Sequence, residues 1–272
     1  TLRMRPSRVL KRMRDGEVAV CFKTNLGDPR VVEIAARAGF DCIWTCMEHV
    51  PNSIHDVENQ VRAGKMHDTD VLVRVRRGSY SDLILPLEMD AAGIMVPHVM
   101  SLEDAKKVVY YTRFHPVGRR PWDGGNSDGA YCMIPPKDYI EQANRERFIM
   151  VQIEDPEPLD DLEEIAKLDG IDIIFFGAGD YSQGIGQPGQ FDHPKVLETR
   201  KRIADVARKH GKFAGAMATV ETMPDLAAMG YQFLNIGADV VTLSTELAAM
   251  ARDLGRAGFS QTNSMYQGRQ SK

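Results

Sequence analysis

Acidic, basic and imidazole side chains follow several short apolar runs of this sequence. Glu48 and His49 come directly after one such run, and Arg74 lies in the next. Glu154 and Asp180 each end a later run. A histidine exchanges protons near neutral pH, an arginine fork holds a carboxylate or a developing oxyanion, and paired carboxylates hold a hard divalent cation. The sequence therefore predicts a metal-assisted site at which negative charge develops, provided that the fold brings these residues together.

Glu154 and Asp180 are the predicted metal ligands. Two carboxylates, together with waters and a substrate that binds through two oxygens, suit a cation such as Mg²⁺, Mn²⁺ or Co²⁺. In the alternative interpretation, each carboxylate caps the following helix or pairs with an arginine. Arg74 also has an alternative interpretation, which is a buried salt bridge with Glu48 or Glu88. The position of both carboxylates at the ends of neighbouring runs favours the metal.

Other polar residues near these runs bear on the same chemistry. The segment 177–180 is rich in small residues, and its backbone N–H groups could cradle a substrate carboxylate. Lys23 lies near the end of the first run and is the one candidate for Schiff-base chemistry, which the rest of the pattern does not require. The remaining histidines lie in predicted helices or loops without a partner pattern and are not assigned to the site: His55, His67, His98, His115, His193 and His210.

Short apolar, β-branched runs alternate with amphipathic stretches along the chain, which is typical of βα units and a parallel sheet. Strands are predicted at residues 18–22, 42–45, 71–75, 93–96, 148–153, 171–176, 213–217 and 233–236. Helices are predicted at residues 5–14, 29–38, 54–65, 81–89, 102–111, 137–144, 158–168, 193–210, 220–228 and 240–254. Eight βα repeats in 272 residues favour a closed (β/α)₈ barrel over an open doubly wound sheet, and no GxGxxG motif follows an early strand.

The predicted domain organisation is one α/β barrel over residues 1–272. It begins with a helix within residues 1–15 and ends with a polar tail at residues 256–272. Residues 114–136 hold many prolines and glycines and are predicted to form a long functional loop. Because the chemistry of such barrels sits at the carboxyl ends of the strands, the polar residues that follow the strands are expected to share one rim.

Composition and charge argue against nucleic-acid-binding, membrane-spanning and secreted proteins. A net charge of -4 argues against nucleic acid as a partner. No apolar run approaches the ~18 residues of a membrane span, and the amino-terminal segment is too polar for a signal peptide. The four cysteines form no CxxC pair and no spacing typical of a zinc site or a disulfide framework. These features favour a cytoplasmic protein in a reducing compartment.

Several segments resemble the HpcH/HpaI aldolase family, whose members are metal-dependent pyruvate aldolases. The segment 43–52, IWTCMEHVPN, resembles the DxEHxPN motif of that family. The resemblance continues in order through residues 73–75, 93–97, 113–120, 151–154, 176–182 and 237–239. The similar segments together span about residues 7 to 255 and occur in the order found in the family, so the resemblance is specific to this family.

The resemblance implies a barrel of the phosphoenolpyruvate/pyruvate type that exchanges its carboxy-terminal helix within a homo-oligomer, with a hexamer among the expected assemblies. It also implies Glu154 and Asp180 as metal ligands, His49 as the acid/base residue and Arg74 as the group that steadies the enolate. Substrate-binding roles fall to Gln152, to Gly179 and to Asp180, whose amides would take the substrate carboxylate. Positions behind the site are filled by Cys46, Glu48 and Glu88.

Cys46 departs from the family pattern, because members usually carry an aspartate three residues before the histidine. Without that carboxylate, His49 is expected to be a weaker base, since hydrogen-bonded partners fix the tautomer of an imidazole and raise its basicity. Restoring aspartate at position 46 is therefore expected to raise turnover if His49 needs such a partner. A neutral residue at position 46 also leaves open the alternative that this chain is a relative of these aldolases that binds a 2-oxo acid without catalysing its conversion.

The function that these residues and the resemblance favour is an aldolase, a carbon–carbon lyase acting on 4-hydroxy-2-oxo acids. A divalent metal would stabilise the pyruvate enolate as a Lewis acid, and the second product would be an aldehyde. One alternative is other metal-enolate chemistry on the same scaffold, such as decarboxylation or cleavage of an acyl-CoA. The non-catalytic 2-oxo-acid binder is the other.

Overall fold

The barrel closes through eight parallel strands in the computed structural model, which describes residues 2–256. Each strand pairs with the next one along the chain, and β8 pairs with β1. The predicted (β/α)₈ barrel is therefore confirmed, and the open doubly wound sheet is wrong. The strands are β1 (Ala19–Lys23), β2 (Cys42–Cys46), β3 (Asp70–Arg74), β4 (Gly93–Val96), β5 (Phe148–Ile153), β6 (Ile173–Phe176), β7 (Phe213–Ala218) and β8 (Tyr231–Ala238).

Helices follow the strands and cover the outside of the barrel. Many begin at a residue that favours helix starts, such as Ser53, whose side chain forms a capping box with Asp56. The α-helices within residues 2–256 are α1 (Arg8–Arg14), α2 (Pro29–Arg37), α3 (Ile54–Lys65), α4 (Tyr80–Glu88), α5 (Leu102–Thr112), α6 (Pro136–Glu146), α7 (Leu162–Lys167), α8 (Ala178–Gly184), α9 (Pro194–Lys209), α10 (Met223–Met229) and α11 (Asp239–Asp253).

Two predicted elements differ from the observed ones. The loop expected after β6 contains the helix α8. The single helix expected over residues 158–168 is divided into a 3₁₀ turn, Glu157–Leu159, and α7. The predicted tail at residues 256–272 lies outside the described residues except for its first position. No helix in the described part of the chain is long and apolar enough to cross a membrane.

Side-chain alternation along the strands determines which residues face the barrel interior. On β2, Cys42 and Trp44 belong to an interior apolar cluster, and Cys46 lies on the same face one step nearer the carboxyl end. The interior cluster also contains Leu72, Met95, Met150, Phe175 and Phe233. Polar residues that share this alternation therefore project above the cluster into the carboxyl end of the barrel.

The amino end of the barrel is closed by α1. Val9, Leu10 and Met13 of this helix pack against the interior cluster. At the start of β3, buried Asp70 accepts hydrogen bonds from the Ser7 hydroxyl at 2.6 Å and from the backbone N–H of Val9 at 2.9 Å. Within residues 2–256, α1 therefore fills this end, and the cavity described below opens at the carboxyl end.

Candidate active site

A cavity of about 130 Å³ opens at the carboxyl end of the barrel. Its walls combine two acidic residues, two basic residues, a histidine, an amide and several small or aromatic residues. The lining residues are Lys23, Trp44, His49, Arg74, Gln152, Glu154, Phe175, Gly177, Ala178, Gly179, Asp180 and Met217. The structure thus brings the predicted ligands Glu154 and Asp180 into the same cavity as His49, Arg74 and Gln152.

Glu154 is the most deeply buried acid of this cavity, with 1% of its surface exposed. One carboxylate oxygen accepts a hydrogen bond from the backbone N–H of His98 at 2.8 Å, and the other accepts one from the Gln152 amide. Burial raises the pKa of Glu154 to about 7, and the neighbouring charge of Asp180 acts in the same direction. A bound cation would favour the ionised form of both acids.

Asp180 reaches the cavity because α8 begins directly after β6. Gly177 precedes this helix and lies so close to Glu154 that a Cβ atom would come within 2.5 Å of the Glu154 Cβ. Asp180 lies in the first turn of α8, as does Gly179, and backbone N–H groups in a first turn lack acceptors within the helix. This geometry is compatible with the predicted capture of a carboxylate at Gly179 and Asp180.

Arg74 ends β3 with 5% of its surface exposed. Its Nε lies 3.0 Å from Glu48 Oε2, so the ion pair that formed its alternative interpretation is present. Both Nε and Nη2 donate to Cys46 Sγ at 3.3 Å, and the guanidinium carbon lies 4.9 Å from the centre of the Trp44 ring. Arg74 therefore keeps a fixed position while it also lines the cavity.

His49 lies at the edge of the cavity, with 58% of its side chain exposed. Its Nε2 is 3.4 Å from Glu48 Oε2, and its backbone N–H donates to Cys46 Sγ at 3.4 Å. Glu48 thus lies between the imidazole and Arg74. Glu48 therefore places a carboxylate oxygen beside the imidazole, at a distance that makes an ion pair when His49 is protonated but without a hydrogen bond.

His98, which the sequence did not assign to the site, lies beside Glu154 and has acidic partners. Its Nδ1 lies 2.8 Å from Asp155 Oδ2, and its Nε2 lies 3.7 Å from Glu154 Oε1. Partial burial disfavours its charged form, but Asp155 and the nearby carboxylates outweigh that effect and raise the pKa of His98. His98 comes two residues after β4, so the rule that selected His49 after β2 could also have selected it.

One ligand atom each from His98, Glu154 and Asp180 lies within 4.8 Å of the other two. Carboxylate oxygens and an imidazole nitrogen are donors that divalent cations accept. Gln152 Oε1 is buried beside this group and has no hydrogen-bond partner within residues 2–256. A buried acceptor of this kind is normally satisfied, so its state fits a site that receives a bound ligand. The residues present therefore fit a divalent metal.

A match to a family model covers residues 19–245, and its description is HpcH/HpaI aldolase/citrate lyase. The chain belongs to the HpcH/HpaI aldolase/citrate lyase family. A 2-keto-3-deoxy-L-rhamnonate aldolase from Escherichia coli is 32% identical to it over 241 residues, which is 87% of this chain and 89% of the relative. Because an aldolase is a carbon–carbon lyase, family membership supports an enzyme of that class.

Solved structures of the HpcH/HpaI family share the fold along nearly the whole chain. An HpcH/HpaI aldolase from Desulfitobacterium hafniense has a TM-score of 0.84 and 28% identity, and the match covers 93% of this chain and 98% of that one. The citrate synthase SbnG has a TM-score of 0.83 and 28% identity, with coverage of 90% and 96%. The family description itself names two reactions, and the citrate synthase is a third reaction on a similar fold.

Glu88 is not brought into the cavity of this HpcH/HpaI family member, and its predicted place behind the site is wrong. It is the last residue of α4, which leads into the start of β4, so it lies toward the amino end of the barrel. There its carboxylate accepts a hydrogen bond from Asn126 at 3.3 Å. The sequence position before β4 misled the prediction, because residues that precede a strand lie at the opposite end of the barrel from the carboxyl rim.

Lys23 is a second buried cation of the cavity. It ends β1 with 7% of its surface exposed, and its Nζ lies 5.3 Å from the centre of the Trp44 ring. Since β1 and β5 are four strands apart in a closed barrel of eight, Lys23 and Glu154 come from opposite walls. The cavity thus contains two cations: Lys23, on the wall opposite Glu154, and Arg74, two strands from it.

Proposed function

We propose that this chain is a divalent-metal-dependent aldolase that cleaves or forms 4-hydroxy-2-oxo acids through a pyruvate enolate. The observation that carries the proposal is the convergence of Glu154 and Asp180 on one group of ligand atoms inside the cavity. The family model and the rhamnonate aldolase relative support aldol chemistry. Pyruvate-type 2-oxo acids are the substrate class, and an aldehyde is the second partner.

In this proposal Glu154 and Asp180 hold Mg²⁺, Mn²⁺ or Co²⁺. A bound cation of this kind supplies Lewis acidity, which stabilises negative charge that develops next to a carbonyl group. Gln152 donates to the Glu154 carboxylate and keeps its orientation. Gly177 allows the strand and the following helix to approach closely enough for both acids to serve one ion.

Arg74 and the first turn of α8 bind the anionic substrate. The Arg74 guanidinium is buried and held by Glu48 and Cys46, so it presents positive charge without reorganisation. Backbone N–H groups of Gly179 and Asp180 receive the carboxylate of the 2-oxo acid. Gln152, through its unpaired Oε1, adds a hydrogen-bond acceptor to the same wall.

His49 moves the proton. In cleavage it removes the proton of the substrate hydroxyl group, either directly or through a water, as the C3–C4 bond breaks to give the aldehyde and the pyruvate enolate. C3 of the enolate then takes up a proton, which completes pyruvate. In condensation C3 of pyruvate loses a proton, the C3–C4 bond forms, and His49 returns the proton to the new hydroxyl group. Glu48, 3.4 Å from His49 Nε2, stabilises the imidazolium that forms. The exposed position of His49 at the edge of the cavity gives the aldehyde part of the substrate access to it.

A second candidate function is another enolate reaction on the same scaffold, including decarboxylation or acyl-CoA cleavage. The family description names citrate lyase, and the structurally similar SbnG is a citrate synthase. Decarboxylation and acyl-CoA cleavage would both use Glu154, Asp180 and Arg74 in the roles proposed for them in the aldolase. They differ from the aldolase in the group that reacts with, or leaves from, the enolate carbon.

Release of pyruvate from a panel of 4-hydroxy-2-oxo acids tests the proposal. We expect release with Mg²⁺, Mn²⁺ or Co²⁺, loss on EDTA treatment, and a decrease of at least 100-fold in Glu154→Ala. Glu157→Ala is a matched control, because this exposed glutamate lies three residues further along and outside the cavity. Oxaloacetate decarboxylation without any aldol cleavage would favour the second candidate. Tight binding of pyruvate or oxalate without turnover would contradict both and indicate a binding protein.

We also propose that the chain assembles as a homo-oligomer through α11, the helix that the family exchanges between subunits. Leu243, Leu247, Met250 and Leu254 recur on one face of this carboxy-terminal segment, and each is at least half exposed in the single chain. Of the helix, only Asp239 and Ala248 are buried. A helix of this kind gains stability when another subunit covers its apolar face.

A further inference from the structure

His98 has a backbone conformation that residues with side chains rarely adopt, with φ at +47°. Left-handed backbone costs free energy for a residue other than glycine, so it persists where the surrounding structure requires it. Here it directs the N–H of His98 to Glu154 Oε1 and its ring toward the cavity side of the same carboxylate. The backbone N–H and the imidazole ring of His98 therefore both lie close to the Glu154 carboxylate.

The His98 ring is oriented by Asp155. The Asp155 carboxylate lies 2.8 Å from Nδ1, which assigns the proton of the neutral imidazole to that nitrogen. The lone pair then resides on Nε2, which lies 3.7 Å from Glu154 Oε1 and 3.9 Å from Glu48 Oε1. Histidines that bind metals characteristically donate their second ring N–H to a carboxylate in this way.

Spacing within the group also fits coordination. Neighbouring ligand atoms on an octahedral ion with ligand distances of ~2.1 Å are about 3 Å apart, and opposite ones about 4 Å apart. The atoms of His98, Glu154 and Asp180 lie within 4.8 Å of one another, so small side-chain rotations bring them to those separations. His49 is not a member of this group, and its Nε2 faces Glu48 instead.

We infer that His98 is a third protein ligand of the divalent cation, coordinating through Nε2, and that Asp155 is its positioning residue. This inference rests on the proposed metal site at Glu154 and Asp180. An imidazole nitrogen raises affinity for Mn²⁺, Co²⁺ and Zn²⁺ relative to Mg²⁺, which prefers an all-oxygen shell and retains its waters. The site is therefore selective for a transition-metal cation over Mg²⁺.

Pulsed electron paramagnetic resonance on the Mn²⁺-loaded protein tests the coordination without any substrate. We expect a ¹⁴N coupling from one directly bound imidazole, replaced by the ¹⁵N pattern when the histidines are ¹⁵N-labelled. The coupling is lost in His98→Asn and kept in the matched control His49→Asn. Asparagine is chosen because it tolerates the left-handed backbone of position 98. The labelled His49→Asn protein gives the answer even if His98→Asn fails to fold, because a coupling that persists there cannot come from the other histidine of the cavity.

Calorimetric titrations with Co²⁺ and Mg²⁺ test the selectivity. We expect His98→Asn to weaken Co²⁺ at least tenfold and Mg²⁺ less than threefold, and Asp155→Asn to weaken Co²⁺ by 10- to 100-fold. Bound Mn²⁺ that depends on Glu154 but shows no nitrogen coupling would overturn this inference and leave the proposed function intact. Absence of any Glu154-dependent cation binding would overturn both.

Discussion

Cys46 stands where the DxEHxPN motif, which residues 43–52 resemble, has an aspartate. Its sulfur contacts the Arg74 guanidinium and the backbone N–H of His49, and the imidazole is next to Glu48 instead. An aspartate at position 46 would therefore place its carboxylate beside the Arg74 guanidinium. This contact predicts weaker substrate binding, instead of the gain in turnover that the sequence alone predicts. In the proposed reaction, the side chain at this position would set how much of the Arg74 charge is available to the substrate.

Cys46→Asp is expected to raise KM for the 2-oxo acid by about tenfold without raising kcat. The new carboxylate would neutralise Arg74 and weaken one charge-assisted hydrogen bond to the substrate, an effect of ~1.4 kcal/mol. Steady-state kinetics of pyruvate release measures both constants, with Cys46→Ser as the neutral control. A higher kcat in Cys46→Asp would show that His49 lacks an adequate partner in the natural protein.

At the level of secondary-structure elements, the junction between β6 and α8 positions the two proposed metal ligands, Glu154 and Asp180. Gly177→Ala would bring a Cβ within 2.5 Å of Glu154 Cβ and 2.7 Å of Glu154 Oε2. We expect the acid to shift and the affinity for Mn²⁺ to fall at least tenfold, measured by calorimetry. Gly125→Ala is the control, because its nearest neighbour is the exposed Asp123 side chain. Unchanged affinity in Gly177→Ala would show that the junction does not position Glu154.

Glu163 connects α7 to the end of α9. Hydrogen bonds from His210 and Lys209 lower the pKa of Glu163 to about 2, from an ordinary value of 4.5. Because the folded-state pKa is lower than the unfolded-state pKa, this contact stabilises the fold above pH ~4.5 and loses that effect as the pH falls toward 2. The contact between the two helices is therefore stronger above pH ~4.5 than near pH 2.

Glu163→Gln should accordingly lower the free energy of unfolding at pH 6, and the difference from wild type should shrink at pH 3.5. Urea unfolding at both values measures it. Glu164→Gln is the matched control, since its carboxylate pairs with Lys167 inside α7 and not with a second helix. An equal difference at both pH values would contradict the role assigned to the ionised Glu163.

The elements themselves were largely predictable from the sequence. Buried strands such as β3 are apolar and β-branched, and this pattern depends only on local composition. Helix α8 was not predictable, because its sequence, AGDYSQG, has low intrinsic helix propensity. In the folded protein, the burial of Tyr181 and Ser182 stabilises this helix. The position of His98 after β4 follows the strand-end rule, but the role proposed for it also depends on a left-handed backbone and on Asp155 from another strand end, which linear spacing does not show.

The carboxyl rim explains why much of the site was nonetheless predictable. A parallel barrel places every strand end at one mouth, so residues that follow strands meet even when they are distant in sequence. Glu154, Asp180, His49 and Arg74 were selected by this rule, and the structure brings them to one cavity. The rule does not apply to Glu88, which precedes a strand.

At the scale of the whole molecule, the apolar face of α11 predicts a homo-oligomer. Leu247→Glu combined with Met250→Glu places two charges on that face, which burial in an interface would strongly disfavour. We expect the mass measured by light scattering to fall to a smaller species. Met66→Glu is the control at an exposed apolar residue outside α11. A wild-type monomer, or an unchanged mass in the double variant, would contradict the proposed assembly.

The central claim is that Glu154 and Asp180 hold a cation that allows this site to form the enolate of pyruvate. Exchange of the pyruvate methyl protons with deuterium, followed by NMR in D₂O, tests it without knowledge of the aldehyde partner. We predict fast exchange with Mn²⁺ or Co²⁺, abolished by EDTA and reduced at least 100-fold in Glu154→Gln. Exchange no faster than without enzyme, or equal in wild type and Glu154→Gln, would contradict the claim.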